Sequence, residues 1–246
     1  MLTVKSITVS HTGHVREHNE DALYADDHQG IWLVADGMGG HASGEVASQL
    51  AVKSIIEAIN EGQPLTEAIK QSHLAILNQA EQKPEQKGMG TTIVAAQQLK
   101  TSFKIAWVGD SRAYLINNQL QQITTDHSFV QDMVFREILT SEEAEKHPQK
   151  NLINRSLGME GRPCKVDYKT IYPTASGALL LVTDGVSDFL SHEQIQSLFK
   201  PAQSQAETSQ QLTQAILKTE AADNFSFVII DFKLGWREKW QNKFKW

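Results

Sequence analysis

Read along the chain, apolar positions fall into two periods. SITVSHTG alternates like a strand with one wet face, and GIWLVAD is a continuous apolar run of the kind buried on both faces. From Gly44 to about Asn60, residues Val46, Leu50, Ile55, Ile56 and Ile59 recur at helical spacing, and Leu65 to Ala80 repeats the pattern after Pro64. GMGTTIVAAQQL, SFKIAWVGD and RAYLINNQLQQI read as consecutive antiparallel strands of a meander, with Lys100-Thr101 and Asn117-Asn118 as turns. TDHSFVQDMVFREIL predicts a helix, and SEEAEKHPQKNLINRSLG a helix and loop covering the sheet edge or a site. SGALLLVTD returns to strand, SHEQIQSLF is a helix capped by Ser191, SQAETSQQLTQAILKTEA is a long amphipathic helix, and FSFVIIDF closes as a strand. With no linker, repeat or low-complexity stretch, one domain is expected.

The strand ends carry the chemistry. Apolar runs stop at an aspartate beside a glycine at Asp36, Asp110 and Asp184, and a fourth acid, Asp223, stands just before the last strand. Ends of buried strands are rigid points from which short acids can converge, and converging carboxylates need cations to neutralise them. Hard ions such as Mg²⁺ and Mn²⁺ match that oxygen-only donor set. Upstream, TGHVREHNEDA sets Arg16 beside Glu20 and Asp21. A guanidinium grips two phosphate oxygens through its planar fork, so arginine with clustered acids suggests phosphate held against metals; a surface ion pair is the plainer alternative.

Composition narrows the partners. In 246 residues, 40% are hydrophobic and 21% charged, and the formal net charge of −6 argues against a general nucleic-acid surface. Cys164 is the single cysteine, so there is no disulfide framework or thiolate metal site, which fits a reducing compartment. No segment looks like a signal peptide or a membrane span, and a soluble, cytoplasmic protein is expected.

The ordered motifs RxxNED, VADGMGG, GMGTT, VGDSR, TDHS, LVTDGVSD and ADN resemble those of the PPM-family, type 2C metal-dependent serine/threonine protein phosphatases, bacterial in style, over roughly residues 5 to 232. The resemblance implies an α+β fold, a four-layer αββα sandwich whose two central, mostly antiparallel sheets are flanked by helices. It implies a phosphatase domain over 1–232, followed by a basic, aromatic tail over 233–246. Carried over residue by residue, Asp36 bridges two metals. Glu20 and the Gly37 carbonyl hold one, Asp184 and Asp223 hold the other, and Asp21 orders metal-bound water. Similar bacterial enzymes often bind a third ion, which maps onto Asp110 and Asp188. The implied activity is hydrolysis of phosphoserine and phosphothreonine in proteins by a metal-activated water, with Arg16 holding the phosphoryl group. Two Mn²⁺ or Mg²⁺ ions serve as cofactors, phosphoproteins as substrates, and a bacterial Ser/Thr kinase as the opposing partner of a monomeric enzyme. A non-catalytic phosphoprotein-binding regulator on the same fold and a small-phosphoester phosphatase are the rival readings.

The chain departs from the family pattern in three places. Animal-type members carry a histidine where this chain has Met38, which cannot donate a proton, leaving His41 or a water as candidate acids. Thr125 to Gly158 corresponds to the mobile flap, with Glu137 where a flap glycine is common. In the tail, Trp236, Trp240 and Phe244 form an aromatic stripe among basic residues, suited to packing on the body or to docking on a partner or an anionic membrane. Ser111 and Ser128 are expected to be structural hydrogen-bonders, and His127 to fix the base of the flap.

Overall fold

The computed structural model describes residues 2–39, 43–200 and 203–235. One sheet runs in the order β1 (Thr3–His11), β11 (Phe225–Lys233), β10 (Gly177–Val182), β7 (Arg112–Ile116), β8 (Leu120–Gln122). The other runs β2 (Asp21–Asp26), β3 (Ile31–Met38), β5 (Ile93–Gln98), β6 (Phe103–Val108), β9 (Asp167–Ile171), with β4 (Gly90–Thr91) paired to the end of β3. All pairings are antiparallel.

Three apolar clusters make the layers. Trp32, Val34, Phe103 and Ile105 of one sheet meet Leu179, Leu181, Val228 and Phe232 of the other between the sheets. The outer face of the β3 sheet packs on α1 (Ser43–Asn60) and α2 (Leu65–Gln82) through Leu33, Ala47, Ile55 and Ile69. The outer face of the β10 sheet packs on α5 (Asp184–Ser187), α6 (His192–Leu198) and α7 (Gln205–Leu217) through Val186, Ile195, Leu212 and Ile216. Both faces of each central sheet are therefore buried, which is why β3 and β10 read as continuous apolar runs. This is the expected αββα sandwich. Capping boxes at Ser191 with Gln194 and Ser204 with Glu207 fix the starts of α6 and α7.

Several sequence expectations change. The meander breaks after β6: Gly109, at φ +110, turns the chain out of one sheet, and β7 joins the other. Thr125–Leu139 is helical only over α3 (Phe129–Phe135), because Ser128 caps it by accepting from the Gln131 N–H at 3.2 Å; α4 (Ser141–Glu145) follows. Strands β2 and β9 have no counterpart in the sequence reading. Both, DALYAD and DYKTI, are edge strands that are half-buried or exposed over most of their length. Lys233 ends β11 and Leu234 is buried. Residues 236–246 of the tail, and His41, lie outside the described residues.

Candidate metal centre

Antiparallel pairing gathers the acids at one end of the sandwich. Asp21 opens β2 directly opposite Asp36 near the end of β3. β10 ends one residue before Thr183 and Asp184, and the start of β11, just after Asp223 and Asn224, lies alongside it. Asp110 stands where the chain crosses between sheets, next to Val108, whose partner Ile93 opens β5. A hairpin register and two strand ends thus bring together residues separated by up to two hundred positions.

The floor is tightly held. The Asp36 N–H donates to Thr92 Oγ1 at 3.0 Å, and its carbonyl accepts from Thr91 Oγ1 and the Thr92 N–H, both at 2.8 Å. Thr92 Oγ1 in turn shares a 2.7 Å hydrogen bond with Ser111 Oγ, which gives Ser111 the structural part expected of it. Thr183 Oγ1 donates to Asp21 Oδ2 at 3.0 Å. Gly37 leaves no room for a Cβ, which would run into the Gly44 carbonyl and come within 2.6 Å of the Glu20 carbonyl. At Gly44 a Cβ would lie 2.7 Å from the Glu20 carboxyl, so Glu20 is pressed over the first turn of α1. Asn224 ties the Arg16–Glu20 loop down: its Oδ1 accepts from the Glu20 N–H at 2.8 Å, and its Nδ2 donates to the Thr12 and His18 carbonyls at 2.9 Å.

Burial and crowding make these carboxyls reluctant to ionise. Desolvation, then the hydrogen-bonding and charge of its neighbours, leaves Asp21 near pKa 7; burial and the charge of Asp184 carry Asp110 to about 8; burial carries Asp184 to about 6. Desolvation, then the charges of Asp184 and Asp21, pushes Asp36 well above the carboxylate range. Asp36 and Asp184 therefore resist ionising together. Glu20 is raised by burial against the opposing pull of Arg16.

The cations nearby are committed or peripheral. Arg112, half-buried, is in bidentate contact with Asp126, at 2.7 to 3.1 Å. Arg16, 52% exposed, pairs with Asp223 Oδ2 at 2.8 Å across the mouth, and Lys150 reaches Asp188 Oδ1 at 3.1 Å from the flap. Among the described residues no three acidic, histidine or cysteine side chains are closed round one metal-sized point, so the acids form an open cluster rather than a finished cage. An all-oxygen, buried, self-repelling donor set with no base of its own nevertheless suits hard divalent ions, which would discharge the repulsion that protons otherwise relieve.

Of the residues read from the sequence, the fold brings Asp21, Asp36, Asp110, Asp184, Asp188 and Asp223 within reach of one another's charge at one end, with Arg16 and Glu20 beside them. Thr183, Ser226, Asn224 and Lys150 were missed. Thr183 and Asn224 sit beside motif acids, in VTD and ADN, where a hydroxyl or amide adjacent to a buried carboxyl was the available signal. His127 accepts at Nδ1 from the Gly109 N–H at 3.1 Å and donates its own N–H to the Gly109 carbonyl, holding the flap base against the Asp110 turn. Cys164 is a half-buried thiol raised to about 11 by burial.

Residues 10–220 match the protein phosphatase 2C family profile. The chain belongs to the protein phosphatase 2C family. A serine/threonine phosphatase, stp, of Listeria welshimeri is 35% identical over 236 residues, covering 90% of this chain and 93% of that protein. The Mycobacterium tuberculosis serine/threonine phosphatase PstP/Ppp superposes with a TM-score of 0.84 at 35% identity, covering 94% of this chain and 99% of that structure. A structure of the PstP catalytic domain with two manganese ions gives 0.81 at 33% identity, covering 95% and 100%. Membership in the 2C family accounts for the order of motifs around the acidic end.

Proposed function

We propose that this chain is a metal-dependent protein phosphatase that hydrolyses phosphoserine and phosphothreonine, and that it works in the cytoplasm as a monomer opposite a Ser/Thr kinase. The observation that carries the reading is the convergence of Asp21, buried, with Asp36, Asp110 and Asp184, half-buried, at one end of the sandwich, where their mutual repulsion has no use in a stable fold. Its support from relatives is direct: the similar proteins above are named serine/threonine phosphatases, and one was solved with two manganese ions. Among the described residues no helix is long and apolar enough to cross a membrane.

Glu20, Asp36 and the Gly37 carbonyl would hold one Mn²⁺ or Mg²⁺, and Asp36, Asp184 and Asp223 the second, with Asp21 ordering its water and Asp110 and Asp188 serving a third. Bound there, the ions lower the pKa of a coordinated water towards neutrality and offset charge on the phosphoryl group. The protein's own groups do the rest. Thr183 Oγ1 occupies Asp21 Oδ2 and fixes the direction of that carboxylate. Arg16, half-exposed at the mouth, turns its guanidinium from Asp223 to the phosphoryl oxygens and holds them in line. The departing serine or threonine oxygen needs a proton that Met38 cannot give, and His41, three residues on, is the candidate side chain.

Hydrolysis of a phosphothreonine peptide, with and without Mn²⁺, tests this. Turnover is expected only with the ion and to fall about a thousandfold or more in Asp36→Asn, which keeps the shape and loses the charge. Turnover persisting in excess chelator would contradict the reading, and metal-independent peptide binding without turnover would favour a phosphoprotein-binding regulator.

A further inference from the structure

A cavity of about 280 Å³ opens between α2 and residues 154–165, and none of the acids of the metal centre lines it. Its walls carry three cations, Arg155, Arg162 and Lys165. Asp132 is the one acid among its lining residues, and the Asn154 amide already donates to Asp132 Oδ2 at 2.7 Å. The chain as a whole carries a formal charge of −6, so a cationic cavity is a local feature and not a reflection of composition. Nor are these cations spent on partners. Among the described residues Arg162 and Lys165 make no ion pair, and Arg162 reaches only the Asn154 carbonyl, at 3.4 Å. Arg155 stands 3.4 Å from Asp167 Oδ2, an oxygen that His127 Nε2 approaches more closely, at 3.2 Å.

Two buried groups complete the lining. His73 is 4% exposed, and its Nδ1 accepts from the Gly158 N–H at 3.0 Å. Burial lowers its pKa, so near neutral pH the ring is uncharged and its proton sits on Nε2, a donor with no acceptor among the described residues. Ser156, 8% exposed, adds a hydroxyl. Neutral donors in the wall with guanidinium and ammonium groups at the rim match an oxyanion, whose oxygens take the hydrogen bonds while the cations offset its charge. Three cations suit a dianion better than a single carboxylate, and a cavity at the small end of ligand clefts suits a compact one. We propose that this cavity is a second anion site, which takes a phosphate group, free or carried on a small molecule, between Arg155, Arg162 and Lys165 with His73 and Ser156 behind it. Occupancy needs no metal, so the site stands apart from the phosphatase reading.

Cys164, the single cysteine, lines the same cavity and reports on it without reference to activity. The measurement is the rate at which iodoacetamide alkylates Cys164 in the metal-free full chain, with inorganic phosphate, glucose 6-phosphate, or chloride at matched ionic strength. Alkylation is expected to slow about fivefold by roughly 10 mM phosphate, as a site of millimolar affinity would give, and to ignore chloride. Arg162 and Lys165 are exposed, so the double variant Arg162→Gln/Lys165→Gln spares the fold, and in it the protection should disappear. Broadening of the phosphate resonance in phosphorus NMR by wild type, and not by the double variant, is the second readout. Stronger protection by glucose 6-phosphate would assign the site to a small phosphorylated molecule, and stronger protection by phosphate to the free ion. Equal slowing by chloride, no slowing by either phosphate compound, or protection that survives in the double variant would overturn the site. With no metal in the experiment, each of these results leaves the phosphatase reading where it stood.

Discussion

The floor of the metal centre and the flap above it are built on opposite terms. On the floor, the backbone of Asp36 is held by three hydrogen bonds, and its position follows from strand register. Over the flap, α3 and α4 have seven and five residues, Phe135 is 87% exposed, and Ile138 and Leu152 are also bare. The flap is tied to the body mostly at its two ends, Asp126 to Arg112 and His127 to Gly109 at one and Leu157 to Thr91 and Gly158 to His73 at the other, with Lys150 on Asp188 between them. Ligands to a metal need placement within fractions of an ångström, which paired strands supply. A surface that meets varied substrates tolerates few contacts and low local stability. The converging acids thus sit in the rigid half, and the loose half lies above them.

If that division holds, removing charge compensation should hurt the floor most. Asp21, Asp110 and Asp184 have folded pKa values of about 7, 8 and 6 against an ordinary 3.8. The folded apoprotein therefore binds more protons than the unfolded chain between about pH 4 and 8. Its stability falls as pH rises through that window. Divalent ions replace those protons, so the rise in Tm on adding Mn²⁺ should grow from pH 5.5 to pH 8. A thermal-denaturation series in which the Mn²⁺ increment is flat or shrinks with pH would place the buried acids in some other charge state.

Smaller, and purely steric, is Gly37→Ala. The added methyl must displace the Gly44 and Glu20 carbonyls, which are backbone and cannot swing aside. A loss of about 3 kcal/mol is expected, with Tm lower by roughly 6 to 12 °C for a chain of this size, and with weaker Mn²⁺ binding because Glu20 moves too. A variant that melts like wild type would mean the floor gives more readily than its hydrogen bonds suggest.

The same contrast explains what could be read from the sequence. Continuous runs such as IWLVAD and ALLLVTD announce strands buried on both faces, and an aspartate at the end of each is hard to explain as packing. β2 and β9 escaped because edge strands with polar residues lose that signal. The crossing at Gly109 escaped because a positive φ at one glycine decides which sheet β7 joins, and a hairpin reading of VGDSRA fits the residues equally well. Lys150 was invisible for a different reason: a lysine in a polar loop is ordinary, and only the fold shows that Asp188 lies beneath it.

The flap offers the mildest and most discriminating substitution. Glu137 adopts φ +59, the left-handed conformation that favours glycine. Its N–H donates to the Val134 carbonyl at 3.0 Å, closing the turn that ends α3, so the backbone keeps the glycine geometry without the glycine. A non-glycine residue there costs about 1–2 kcal/mol, and glycine's greater freedom in the unfolded chain offsets about half of that. Glu137→Gly is therefore expected to stabilise the protein by about 0.5–1 kcal/mol, a Tm gain of roughly 1 to 4 °C, without altering Mn²⁺ affinity at the pair of sites on Asp36. Hydrogen exchange can locate the gain: slower exchange confined to residues 129–145 would show that the strain belongs to the flap alone. Slower exchange spreading to Asp36 and Thr92 would show floor and flap to be one cooperative unit, and the division drawn between them would fail.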